Sequence, residues 1–457
     1  MTGTAEPIVM DLKRAPNVHA ATQAKGEALR AALAAQRTGT GLASEQLDAL
    51  PVPHRRVERW KHTPVAGFWS TPEAPSVQTI EAAGCEACPV PGLHAYRIVF
   101  VNGTFDAKAS DLPVHSGVRC APISMSDSGA SNSGHLESTD WFAALNQAFA
   151  TEGMKLHVAK GVILDRPVLV HHHTSGEHNA NFLRHDIHVE ANAQVDLIHW
   201  STASDSSTGM VNIMTHMKVE SGAVVALDKV QDEAGSLQHL AFEQINQAQS
   251  SQVRVHTGTI QGHWVRNDLN FRLNGKGCET VLNGFFLPKG KEFVDNHTTV
   301  DHRAAHCNSS EQYQGILYGT SSGVFNGKVF VRPHAQQTNA YQQNGNILVT
   351  DKATINAKPE LEIYADDVKC SHGCTIGQFD EEALFYSRSR GIGEKEAKEK
   401  TAGRKGATHP FDFRAAERQA AARPAGTGLN APASGRRSPR GGRLGICERQ
   451  NLKHGSI

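Results

Sequence analysis

From Leu156 to Tyr386, apolar and polar residues alternate in short runs: GVILDRPVLVHH, RHDIHVEANAQVDLIHW, SQVRVHTGTIQGHWVRNDLNFRLNG, GKVFVRPHA and GNILVTDKATINAKPELEIYADDV. Each run has the length of a strand and favours β-branched and aromatic residues, and many stop at Gly, Asn or Asp, where turns begin. In one run Asp268, Asn270, Arg272 and Asn274 alternate with Leu269, Phe271 and Leu273, which predicts a strand with one wet and one dry face. Strands in succession with almost no helical period between them predict an all-β body, and their spacing fits a sandwich, a barrel or a β-helix. No strict residue repeat selects one of the three.

The first part of the chain follows another pattern. NVHAATQAKGEALRAALAAQR predicts a helix ending before TGTG, and a second start signal lies in EQLDALPVPHRRVERWKHTP. LHAYRIVFVNGTFD predicts a strand that turns at Asn102-Gly103. STDWFAALNQAFATEG predicts a further helix, because Phe142, Leu145 and Phe149 share a face, with Thr139 or Asp140 as the N-cap and Gly153 as the stop.

Length and charge narrow the function. A chain of 457 residues predicts two or three domains unless one long repetitive β unit forms. Lysine plus arginine and aspartate plus glutamate are balanced at 46 each, which removes a global electrostatic case for nucleic acid or an anionic membrane surface. The opening MTGTAEPIVMDLKRAPN has no apolar signal-peptide core and no apolar run is long enough for a membrane span, so a cytoplasmic chain is expected. The 8 cysteines are scattered and are expected as free thiols. After residue 390 Arg, Gly, Pro and Ala dominate, with Pro410, Pro424, Pro432 and Pro439 and no apolar stripe. Such a tail is expected to stay unfolded from about residue 400. A reading-frame shift near codon 399 is one mundane source of this composition, since GC-rich DNA read out of frame yields it.

Several clusters carry chemistry. KCSHGCTIGQFD places Cys370, His372 and Cys374 at alternate positions, so on a strand they project from one face. Thiolate and imidazole suit iron–sulfur clusters and zinc, with Lys369 and a protonated His372 expected to favour thiolate; buried core sulfur fits the spacing equally. Three ligands on one short strand need a partner to close a metal site. Cys85 and Cys88 have CxxC spacing in a loop-like passage without a second pair, which favours coincidence. The string Asp295, His297, Asp301, His302, His306, Cys307 lacks the HExxH pattern and is expected as hydrogen-bonded structure. His171, His172 and His173 end an apolar strand and are expected to be solvated. No phosphate-binding GxxxxGK[ST] loop, GxSxG elbow or dinucleotide fingerprint occurs, so no nucleotide is expected to bind this chain.

Residues 327–392, GKVFVRPHAQQTNAYQQNGNILVTDKATINAKPELEIYADDVKCSHGCTIGQFDEEALFYSRSRGI, resemble the SufB/SufD family of iron–sulfur cluster assembly proteins. The landmarks are Ala335-Gln336 with Asn339, the PELEI run from Pro359, the DDVKCSHG run from Asp366, Phe385-Tyr386, and Ser389-Arg390-Gly391. Trp60-Lys61 with Thr63 and the Thr298 to Cys307 string extend the likeness over most of the chain up to about residue 395, on the SufD side of the family.

The resemblance implies a mainly β fold, a right-handed parallel β-helix core at 96–392, after a mainly helical N-terminal region at 1–95 and before an atypical segment at 393–457. It also implies a non-catalytic scaffold subunit that pairs with a SufB-like paralogue and a SufC-like ABC ATPase. A transient iron–sulfur cluster would then be built between a SufB cysteine and the histidine of the CSHG run, here His372, with Cys370 beside it and Cys374 in a supporting role. Relatives dock the ATPase through amphipathic helices after the SRGI run, so the atypical tail implies weak docking or none. Two other classes stay open: a β-helix carbohydrate-active enzyme using paired carboxylates from Asp295, Asp301, Asp366 and Asp367, and a thiol redox protein using Cys370 and Cys374.

Overall fold

The computed structural model describes residues 20–36, 47, 49–65, 92–124, 140–378 and 381–393. Cys85, Cys88 and the tail from residue 394 lie outside them. The body is a parallel β-solenoid of about 8 turns, so of the architectures compatible with the alternating runs the β-helix is the one formed. From Glu152–Val158 onward successive strands go alternately to a nine-stranded and a ten-stranded sheet, so each bonds to the strand two after it. Thr215, Glu243, Leu269, Thr298, Gly327 and Pro359 occupy one register column of the nine-stranded sheet. Their uneven spacing and mixed chemistry explain why no residue repeat is visible.

The two ends of the solenoid differ. At the N-terminal end the hairpin of Tyr96–Val101 and Thr104–Phe105 turns through Asn102 and Gly103, both at positive φ, and Val118–Ser124 lies antiparallel on Glu152–Val158. Antiparallel strands thus close both sheets there. At the other end the terminal strands are Thr354–Ile363 and Val368–Gln378, and among the described residues no further strand covers them.

Outside the nine-stranded sheet lie helix α1 (Ala20–Gln36), a 3-10 turn at Glu58–Trp60 and helix α2 (Trp141–Phe149). Asp140 caps α2 by accepting from the amides of Phe142 and Ala143, and α2 buries its apolar face against Phe182, Met210 and Met214. Gly153 does not end this helix, which closes at Ala150. It lies in a strand, where a Cβ would collide with the Arg184 carbonyl. Phe385 and Tyr386, expected in the β region, lie on helix α3 (Glu381–Ser389).

The WKxT landmark is a clasp. Trp60 donates to Asp140 at 2.8 Å and stacks under the Arg266 guanidinium at 4.0 Å, while Thr63 donates to Asp295. Arg266 donates to Asp295 at 2.7 Å, and Arg59 pairs with Asp268. The outward face holding Asp268 is therefore wet only beyond this point: Asn270 and Arg272 are half-buried, whereas Arg266 and Asp268 are sealed under the N-terminal segment. The neighbouring guanidinium groups hold the Asp268 carboxyl well below its usual range despite burial.

The interior is only partly apolar. Val, Leu and Ile fill one part, but His172, His185, His199, Lys229, Gln231, Glu243 and Asn267 also point inward. His172 and His185 face each other across 2.9 Å, and Lys229 pairs with Glu243 at 2.5 Å. His171 and His172 are buried, not solvated, because His172 joins this cluster and His171 bonds Thr202 at 2.8 Å. Burial favours neutral imidazole and lowers His171 and His302 to about 4 and His185 to about 3.

Two outcomes follow from the packing. Arg266→Ala strands Asp295 and Asp268 without their shared counter-charge and should cost about 3–5 kcal/mol of unfolding free energy in urea titrations; a loss below 1 kcal/mol would refute the clasp. The histidines predict acid lability. Unfolded, they take up protons near pH 6.5, while His185 in the fold resists to about 3, so stability present above pH 6.5 drains away between those values. Each such group adds a slope of about 1.4 kcal/mol per pH unit. Glu311, raised to about 7 by burial, acts oppositely between pH 7 and 4.5, as do Glu243 and Glu292, which burial also raises, but the buried histidines outnumber them. Urea midpoints should fall steadily from pH 6.5 to 4.5; a flat profile would contradict neutral burial.

Candidate functional site

Cys370, His372 and Cys374 lie on the terminal strand Val368–Gln378 in register with Ala340, Gln342 and Asn344 of Thr338–Leu348. Ala340, Gln342 and Asn344 are buried and face inward, so the three candidate side chains share the same inward-directed face, as alternation predicts. They are nevertheless accessible. His372 and Cys374 are exposed and Cys370 is half-buried, because this coil is the last and its mouth is open.

Their surroundings differ. Cys370 packs on the small cluster formed by Val329, Val331, Ala335, Ala340 and Ala365. Cys374 donates its thiol to Asn344 Oδ1 at 3.8 Å. Burial pushes both thiols up from their ordinary value, against the expected stabilisation of thiolate. The reason is alternation: Lys369 projects from the opposite face of the strand, away from the sulfur atoms. Four strand positions also separate Cys370 from Cys374 by about 13 Å, well beyond the 4.4–6.8 Å Cα separation of a disulfide. A redox pair within this strand is thereby excluded.

The other clusters are structural. Asp295 is enclosed by Arg266, Thr63 and His297, the last at 3.0 Å. Asp301 is held by Arg332 at 2.9 and 3.1 Å and by Arg303 at 2.7 Å. Both carboxylates are thus engaged by cationic side chains, and Asp295 is fully buried, so neither is presented to solvent as a free acid or base. His302 bonds Ser309 at 2.9 Å. Cys278 and Cys307 are buried and donate to the Gly275 carbonyl at 3.1 and 3.3 Å. Among the described residues no three His, Cys, Asp or Glu side chains converge in a metal-binding arrangement. A cluster held at this end would need ligands from elsewhere and would be cargo under assembly.

Apolar exposure concentrates at the same end. Of eight large hydrophobic residues exposed among the described residues, five (Ile363, Tyr364, Ile376, Phe385 and Tyr386) belong to the last coil or α3 and a sixth, Tyr341, to the strand before it. The motif itself did not signal this patch, but Tyr364, Phe385 and Tyr386 surround it in the sequence. No described helix is long and apolar enough to cross a membrane.

Residues 171–400 match the family described as "SUF system FeS cluster assembly, SufBD core domain", and residues 27–170 match "SufBD protein N-terminal region". The chain is 28% identical over 359 residues to the iron-sulfur cluster assembly protein SufD of Escherichia coli, covering 78% of this chain and 84% of that one. It is 29% identical over 378 residues to an iron-sulfur cluster assembly SufBD family protein of Synechocystis, covering 78% of this chain and 83% of the relative. The core match stops at residue 400, where the composition changes. A solenoid whose terminal described strand carries the cysteine–histidine run, matched along both its N-terminal and core parts, belongs to the SufBD family of iron–sulfur cluster assembly proteins and is SufD-like.

Proposed function

We propose that this chain is a non-catalytic scaffold subunit of a cytoplasmic iron–sulfur cluster assembly complex, pairing through its open end with a SufB-like paralogue and served by a SufC-like ABC ATPase. The observation that carries the proposal is the coincidence of three features at one end: terminal strands without a further partner strand among the described residues, exposed apolar side chains, and His372 with Cys370 on a shared face. A terminal strand with free backbone groups is a ready template for another chain. The other terminal strand, Thr354–Ile363, carries Pro359 and Glu362, the latter paired with Lys328 on the strand before it in the sheet, which disfavours further strand addition there. His372 contributes a nitrogen ligand to the cluster under assembly, Cys370 lies beside it, and Cys374 supports the strand through Asn344.

His372→Ala removes a ligand from an exposed position without opening a cavity. The assembled complex should persist while cluster formation, followed by visible absorbance after iron and sulfide reconstitution, falls about tenfold or more. Undiminished cluster formation in the intact complex would sink the role of His372. Ile376→Glu places a charge in the patch and should weaken pairing by about 2 kcal/mol, roughly thirtyfold, in titrations with the paralogue; unchanged affinity would locate the interface elsewhere. The segment after residue 400 has no apolar stripe to bury, so ATPase capture by this chain alone should be weak; tight capture in a pull-down would contradict that.

A further inference from the structure

Beneath His372 the interior changes character. Leu282, Glu311, Gln342 and His372 occupy one register position on four successive strands of the ten-stranded sheet. The first three are buried, and the column turns from apolar to polar as it nears the open end. Glu311 accepts from Thr298 Oγ1 at 2.5 Å through one oxygen and from Gln342 Nε2 at 2.7 Å through the other. Thr298 and Gln342 both donate to Glu311, and above pH 7 it is a carboxylate that only accepts, so it fixes which end of the Gln342 amide faces it.

The other end of that amide is uncommitted. Gln342 Oε1 is buried and without a partner, a condition that costs about 1–3 kcal/mol and calls for a reason. The amide's slot is kept by Gly327 on the facing sheet, where a Cβ would collide with Gln342 Nε2 and approach the Phe325 ring to 2.7 Å. The next residue in the column is His372, whose ring is exposed.

We propose that Gln342 is a positioning residue for His372: when a partner chain closes the open end, Gln342 Oε1 accepts one ring N–H of His372. The other ring nitrogen is then left unprotonated and directed at the partner's side of the site. A histidine ligand is usually oriented in this way, by an acceptor on its second nitrogen. Glu311 acts one step further back, by holding the amide against rotation. The inference rests on the reading of His372 as a ligand, but its decisive observable needs no cluster.

The test is solid-state NMR of the assembled complex with only this chain ring-15N-labelled at histidine, at pH 8.5, the His372 signals being assigned by their loss in His372→Gln. The wild type should show one neutral tautomer of His372 in the complex. Gln342→Leu should release a mixture of both and lower cluster formation about tenfold. A tautomer mixture in the wild-type complex overturns the inference without recourse to any variant. So does a single tautomer that survives in Gln342→Leu. Loss of cluster formation in His372→Ala is a separate result, and it decides the ligand reading alone.

Discussion

A parallel solenoid satisfies the backbone of each coil only through the next coil, so its last coil has an edge that something other than a further coil must complete. In this protein the constraint is resolved differently at the two ends. Antiparallel strands close the N-terminal end, whereas Thr354–Ile363 and Val368–Gln378 end their sheets without cover among the described residues. The same coil carries the cysteine–histidine run and, together with the strand before it and helix α3, most of the exposed large apolar side chains among the described residues. Placement of the candidate site thus follows from the topology: inward-directed side chains become accessible only where the stack stops.

The second organising feature is the cost of polarity inside the stack. Burial favours the neutral imidazole at His172, His185 and His199, the Lys229–Glu243 pair is closed at 2.5 Å, and Glu311 is engaged on both oxygens. The clasp over the outer face obeys the same rule, with Arg266 shared among Asp295, Thr63 and the Trp60 ring. Replacing such groups by apolar ones is often harmless to stability, whereas removing one partner is not. Their presence on the column leading to His372 therefore agrees with a positional task near the open end, and Gln342 is the member with an acceptor to spare.

Much of this was legible in the sequence where one strand suffices to make the argument. Period-two alternation marks the strands, and it also places Cys370, His372 and Cys374 on one face. The same alternation, applied to Lys369, would have shown that its charge cannot favour the neighbouring thiols. Features that depend on which strands are stacked were not legible. His171–His173 look like a solvated strand end until the register brings His172 against His185 and His199. Gly153 looks like a helix stop because its real neighbour is Arg184, on a strand that local pattern cannot align with it. The Glu311–Gln342–His372 column is invisible for the same reason, since its members are separated by whole coils.

The central claim is that the site is half of a whole, completed at the open end by another chain. Hydrogen exchange of the backbone amides of Val368–Gln378 tests it most directly, measured on the free chain and on its complex with the SufB-like paralogue. The account predicts rapid exchange along the unpaired side of this strand in the free chain and strong protection on pairing, while the interior strands stay unchanged. A complex that forms with no new protection in this strand would contradict it, as would full protection of the strand in the isolated monomeric chain.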